Sequence, residues 1–270
     1  SRDMKASIRE KLKKGVSLIR ARHEATAETN ANLIPLLSSP NNVLGVEYQK
    51  ALLFFESAAE IMPVLRTGGA HTDEALKDGY SSATAIRAGL REGKLRAVKR
   101  NVPDYVFEDL KNAPDVSSYG AIAVYAALFR PADELKKVLD CTEGLENRIK
   151  ALAKGNHDYE SLVAKITTKR YIASRIRRIL AAAVLGIDED LVRRSLKNKL
   201  YLNVLAVSKA RADEILPALN ESAFPVLTRR SDEKNIPARA AACYEKDILA
   251  EDLYSFLSRS PSRAGKTLFV

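Results

Sequence analysis

Residues 169–185 read KRYIASRIRRILAAAVL, and the fold class turns on this stretch. Ile172, Ile176, Ile179, Leu180 and Ala183 recur at three- and four-residue intervals, the spacing of one helix face. Arg170, Arg175, Arg177 and Arg178 fall on the other face. The spacing predicts an amphipathic helix over 169–185, with its apolar side in a core and its basic side outward. The rest of the chain agrees. Hydrophobic residues make up 46% of the 270, and there are only 12 glycines and 10 prolines. Ala, Leu, Lys, Arg and Glu dominate, all good helix formers. A mainly α protein with a packed core is expected.

The formal net charge is +10 and the pI about 9.5. Its distribution is uneven. Between Lys165 and Arg211 stand twelve Lys/Arg against Asp188, Glu189 and Asp190. Charge of this density attracts polyanions, nucleic acid above all, although a solvated helix surface gives the same composition. Cys141 and Cys243, like His23, His71 and His157, are scattered without metal-ligand spacing. No apolar run approaches the roughly 20 residues of a membrane span, and Met4 to Lys14 is too charged for a signal peptide. A soluble cytoplasmic protein with reduced thiols is the expectation.

Outward from residue 169, periodicity predicts a helix over 3–29 and a second over 43–61, separated by a Ser/Pro/Asn-rich loop at 36–42. The short apolar run from Ile61 to Arg66 reads as a buried strand, closed by Gly68 and Gly69 and followed by a loop to Tyr80. A helix opens after Ser82. From about residue 101 short helices follow, punctuated by Pro103, Pro114, Pro131 and Gly144. Tyr201 to Val207 reads as a strand, and Phe224 to Leu227 as a shorter one able to pair with it. The segment from Ser258 to Lys266 is expected to be loose. A domain boundary is placed near residue 100, giving domains 1–100 and 101–270.

Two clusters could carry chemistry. Ser82, Thr84 and Arg87 stand at a helix start, where exposed amides and the helix dipole favour an anion and a guanidinium one turn on can reach it. Taken alone, the pattern also describes an ordinary capped helix, the commoner case. Asn41 and Asn42 stand at the mouth of the second helix, where an amide can cap the helix or read the edge of a base or ribose.

Together these stretches carry a resemblance. Ser82-x-Thr84-x-x-Arg87 is similar to the Ser-x-Thr-x-x-Arg signature of adenylyltransferases with a His-x-Gly-His active site. Residues 40–48, PNNVLGVEY, resemble the tRNA(Met) cytidine acetate ligase family. Thr168-Lys169-Arg170-Tyr171, with Arg175 to Arg178 after it, and residues 143–149, EGLENRI, resemble further segments of that family. The matches lie in the family's order and span residues 1–210. The resemblance implies activation of acetate by ATP, with Mg, to acetyl-adenylate, then acetyl transfer to N4 of the wobble cytidine of elongator tRNA(Met). It points to Asn41 and Arg66 as ATP contacts, with Ser82, Thr84 and Arg87 at the phosphate end. Lys169, Arg170, Arg175, Arg177 and Arg178 would face tRNA, and Tyr171 reads as core or as a base-stacking ring. The family's His-x-Gly-His motif and first glycine-bearing strand have no counterpart here. The chain is thus expected to be the C-terminal part of a longer protein: the remnant of an α/β nucleotidyltransferase-like domain, then a helical domain with a small β element, with no catalytic residue of its own. Two other readings stay open at this level: another adenylyltransferase, and a non-enzymatic helical RNA-binding protein.

Overall fold

The computed structural model describes residues 2–270 except Ser17, residues 66–74, Asp78, Asn198 and Lys199. The chain forms two compact units, Ser1–Asn112 and Ala113–Val270.

The first unit is helical: α1 (Arg2–Lys13), α2 (Leu18–Asn30), α3 (Ile34–Ser38), α4 (Pro40–Phe54), α5 (Ala83–Arg91), α6 (Leu95–Lys99) and α7 (Asp104–Lys111). The single helix expected over 3–29 is two. Gly15 takes a left-handed φ of +79° and ends α1, a conformation that costs glycine nothing and other residues a good deal. The helices pair through Lys11, whose Nζ lies 2.6 Å from Glu28 and 3.6 Å from Glu24. The helix expected over 43–61 is α4, which starts earlier because Pro40 fits the first turn, where no amide is needed, and stops earlier at Phe54; the loop expected at 36–42 is mostly helix, in α3 and the start of α4.

The expected strand at 61–66 is not a strand where it is described. Residues 61–65 have no regular structure, and Met62, Val64 and Leu65 are 87–88% exposed. A strand exists through its ladder, and among the described residues of this unit there is no other strand to supply one. Arg66 lies outside the described residues.

The second unit holds α8 (Tyr119–Phe129), α9 (Ala132–Lys137), α10 (Leu145–Ala153), α11 (Tyr159–Ile166), α12 (Ala173–Leu185), α13 (Glu189–Leu196), α14 (Ala212–Asn220) and α15 (Ala238–Ser258). Four two-residue strands join them: β1 (Leu202–Asn203), β2 (Ala206–Val207), β3 (Val226–Leu227) and β4 (Leu268–Phe269). The apolar stripe of α12 does what its spacing requires from Ile176 on, whereas Ile172, expected on the same stripe, is the residue before the helix and is half exposed. Ile176, Ile179, Leu180 and Ala183 are buried with Val124 and Ala127 of α8, Ile149 of α10 and Leu162 of α11. Gly186 ends the helix at φ +65°, and the Asp188 carboxylate, accepting from Leu191 N at 2.7 Å, starts α13.

The strand pairing expected between the 201–207 and 224–227 segments is present as β1–β3, in parallel. A second parallel pair, β2–β4, brings in the C-terminus. The segment from Ser258 to Lys266 is not loose. Ser262 Oγ donates to Asp252 at 2.7 Å, Arg263 N donates to Glu251 at 3.0 Å, and Ala264 is buried in a small core with Leu227, Tyr244 and Ile248. Nor are all the helices after residue 101 short, since α15 runs for 21 residues. Among the described residues no helix is long and apolar enough to cross a membrane.

Candidate functional site

In the first unit, Ser82 caps α5. It is 2% exposed and its Oγ accepts from Ala85 N at 3.0 Å. Thr84 is half-buried in the first turn and Arg87 is exposed one turn later. The helix start therefore gathers Ser82, Thr84 and Arg87 as the pattern suggests. Gly89, on the same helix, is there for packing: a methyl group on it would stand 2.7 Å from Leu76 Cδ1. Asn41 lies exposed in the first turn of α4. The principal cavities of the described residues include neither Asn41, Thr84 nor Arg87 in their walls.

In the second unit the basic segment is built around a tight loop. The helix predicted from 169 begins at Ala173 instead. Thr168 Oγ1 accepts from the amides of Arg170 and Tyr171, and Thr168 N donates to Tyr171 O at 2.9 Å. Such side-chain bonds offer the backbone a turn in place of a helix. The turn holds Lys169 exposed and folds Tyr171 against the core, the plainer of its two readings.

The arginines then divide among different partners, Arg175 and Arg178 sharing Asp140. Arg170 lies 2.6 Å from Glu143. Arg175 donates from Nε to Asp140 O at 3.0 Å and from Nη2 to Thr142 Oγ1 at 3.0 Å, and sits over the Tyr171 ring at 5.3 Å. Arg177 pairs with Glu160 of α11 at 2.6 Å, and Arg178 stands 3.7 Å from Asp140. These partners were not singled out from sequence. The signal was weak, because it is backbone conformation rather than composition that marks them. Asp140 and Glu143 both have left-handed φ, at +67° and +64°, which non-glycine residues adopt at a cost. Arg175 clamps the loop that holds them.

The electrostatics follow from these contacts. The hydrogen bond from Arg170 holds the Glu143 carboxyl below its usual range, and the carboxylate raises the Arg170 guanidinium in return. Burial pushes the Cys141 thiol up to about 11, so it is a core thiol, not a nucleophile. No group of three or more metal-ligating side chains occurs among the described residues. The arrangement offers exposed guanidinium edges in two places, Arg170 and Arg178 against the 140–143 loop and Arg177 against α11, each suited to phosphate oxygens and already balanced in part by carboxylates.

Residues 1–267 match the family model described as HIGH Nucleotidyl Transferase. The chain belongs to this family. Among curated relatives of this HIGH nucleotidyl transferase chain, the tRNA(Met) cytidine acetate ligase of Caldanaerobacter subterraneus subsp. tengcongensis is 29% identical over 262 residues, covering 94% of this chain and 64% of the relative. That of Clostridium botulinum (strain Langeland) is 30% identical over 273 residues, covering 96% and 65%. The chain thus spans just under two thirds of the relatives it matches. Two solved structures of Thermotoga maritima TmcAL, one apo and one bound with alpha-thio ATP, superpose with TM-scores of 0.83 and 0.84 at 24% identity, covering all of this chain and 71% of those. They share its fold, mainly helical with a few short parallel strands. In this member of the HIGH nucleotidyl transferases, His23, His71 and His157 form no His-x-x-His pair, so no step of that motif is assigned to its residues.

Proposed function

We propose that this chain is part of a tRNA(Met) cytidine acetate ligase. The reaction joins acetate to ATP as acetyl-adenylate, then acetylates N4 of the wobble cytidine of elongator tRNA(Met). A carboxylate oxygen attacks the α-phosphorus and pyrophosphate leaves. The cytidine amine then attacks the acetyl carbon and AMP leaves with its oxygen. The observation that carries the reading is the family match over 267 residues, together with relatives that bear this name across nearly the whole chain.

On this reading residues 1–100 are the remnant of the α/β nucleotidyltransferase-like domain, and residues 101–270 are the tRNA-binding domain. Asn41 and Arg66 contact ATP, with Ser82, Thr84 and Arg87 at the phosphate end. The first turn of α5 contributes amides oriented by the Ser82 cap, the Thr84 hydroxyl, and Arg87 as a guanidinium fork. Mg accompanies ATP. Lys169, Arg170, Arg177 and Arg178 meet tRNA phosphates beside Arg175. The His-x-Gly-His segment belongs to a preceding part of the same cytoplasmic protein. The exposed run of Met62, Val64 and Leu65 supports this assignment, as apolar surface of that kind marks an interface.

The test is direct. The 270-residue chain is expected to bind tRNA with steep salt dependence and to catalyse no acetate-dependent ATP–pyrophosphate exchange, whereas the same protein carrying the His-x-Gly-His segment catalyses both partial reactions. Exchange by the 270-residue chain would overturn the division of labour. Absence of tRNA acetylation in the longer protein would overturn the function.

A further inference from the structure

Helix α8 reads YGAIAVYAALF, apolar on every face. A helix of that composition belongs inside a protein, and one side of α8 is inside: Ala123, Val124, Ala126 and Ala127 are buried. The opposite side is not. Tyr125 is 61% exposed and Phe129 68% exposed, one turn apart, with ring centroids 4.5 Å from each other and planes 29° apart. The two rings flank a cleft of about 360 Å³, whose other walls are Ile122 and Ala126 of α8, Arg130, Pro131 and Val184 of α12.

The charge around this cleft is cationic. Arg130 lines it, with one guanidinium nitrogen 3.0 Å from Glu134, the acid in contact with it. Lys150 donates to the carbonyls of Leu128 and Arg130 at the end of α8. Lys246 donates to Leu185 O at the end of α12. A methyl on Gly186 would lie 3.3 Å from the Lys246 ammonium and 3.5 Å from Arg130, so these two cations share one helix end. Helix C-termini favour cations, and their partial negative charge offsets only part of a full positive one. Val184 is also two turns beyond Arg177 on α12, about 10 Å along its axis.

We infer that this cleft receives an unpaired RNA base, which stacks on the Tyr125–Phe129 ledge while Arg130 and Lys246 meet the adjoining phosphates. The inference rests on the tRNA reading above. A flat apolar slot with π faces and cations at its mouth matches a nucleotide in shape and charge. An apolar protein partner would use the rings but not the cations.

The test compares wild type with Tyr125→Ala/Phe129→Ala, Tyr125→Leu/Phe129→Leu and Tyr125→Phe. Binding to labelled tRNA(Met) and to a 12-nucleotide single-stranded RNA carrying 2-aminopurine is followed by anisotropy and by quenching. Loss of one stacked base is expected to weaken binding about five- to 150-fold in the Ala pair. The Leu pair should not restore it, Tyr125→Phe should bind as wild type, and the salt slope should hold because no phosphate contact is removed. Wild-type affinity in the Leu pair would show that the face needs only apolar area and would overturn the proposal. So would an unchanged tRNA affinity in the Ala pair, which leaves the tRNA reading standing. A wild-type chain that binds and quenches the oligonucleotide through these rings but ignores tRNA would sink the tRNA reading and keep the base site. A wild-type chain that binds neither RNA sinks both. A wild-type dimer that the Ala pair converts to monomer, at constant RNA affinity, would assign the face to a second copy of the chain.

Discussion

Arg175 and Arg178 differ by three positions and by what they do. Arg175 is half-buried and donates to the Asp140 carbonyl and the Thr142 hydroxyl, holding a loop that contains two left-handed non-glycine residues. Arg178 is exposed and its nearest carboxylate is 3.7 Å away. A charged donor bonded to a loop carbonyl contributes about 1.5–3 kcal/mol, less where solvent reaches it. A long exposed pair contributes about 0–1 kcal/mol. Arg175→Ala is therefore expected to lower unfolding stability by about 1–2 kcal/mol, and Arg178→Ala by less than about 0.5 kcal/mol. Urea denaturation of the two variants measures this. On the proposed tRNA reading, RNA affinity should fall in Arg178→Ala, whose guanidinium is exposed. Equal stability of the two variants would remove Arg175 from its clamping role and return it to the RNA-facing set.

At the scale of elements, the end of α12 is a case where sequence and structure coincide. The predicted end at Leu185 is the observed one, and Gly186 follows it with φ +65°. Gly186→Ala forces a side chain into that conformation, at about 1–2 kcal/mol, and crowds Lys246 and Arg130. A drop in melting temperature of a few degrees is expected, with α12 still formed by circular dichroism. An unchanged melting temperature would mean that the helix end rearranges. Elsewhere legibility followed the same physics. Helices with a two-sided pattern, such as α12, could be read because 3.6-residue periodicity is a local property. The break at Gly15 was hidden because the apolar spacing of residues 8–19 runs straight through a residue whose backbone sets the outcome. The run at 61–65 looked like a strand because strand propensity is local, whereas strand existence depends on a partner. The strand β4 was illegible for the same reason, its partner being 62 residues upstream at Ala206 and Val207. Of the site, the arginines were legible by type and spacing. Their carboxylate partners were not, since Glu143 and Glu160 meet them only through loop and helix packing.

For the whole molecule, the charge of the basic segment overstates the field that a polyanion meets, because several of its arginines pair with carboxylates outside it. Of the +10, nine charges fall between Lys165 and Arg211, yet Arg170, Arg177, Arg193, Arg194 and Arg211 each lie within about 3 Å of a carboxylate. A phosphate that takes the edge of Arg170 or Arg177 now facing Glu143 or Glu160 displaces that carboxylate, and one that takes the free edge meets its repulsion, so part of the attraction is offset. The carboxylates also set the sequence of events in pH. Arg170 holds the Glu143 carboxyl below its ordinary range. The charge of that pair therefore stays fixed as pH falls from 8 to about 5, and is lost only below the ordinary carboxylate pKa. Mild acid will not unmask the arginine. Removing the charge by substitution will. Glu143→Gln/Glu160→Gln is expected to tighten tRNA binding several-fold at low salt, the gain shrinking as ionic strength rises and the Debye length shortens. Anisotropy titrations at two salt concentrations read this directly. Weaker binding in the double variant would mean that the carboxylates position the arginines for RNA rather than compete with it. No change at either salt would place the RNA on another face of the molecule.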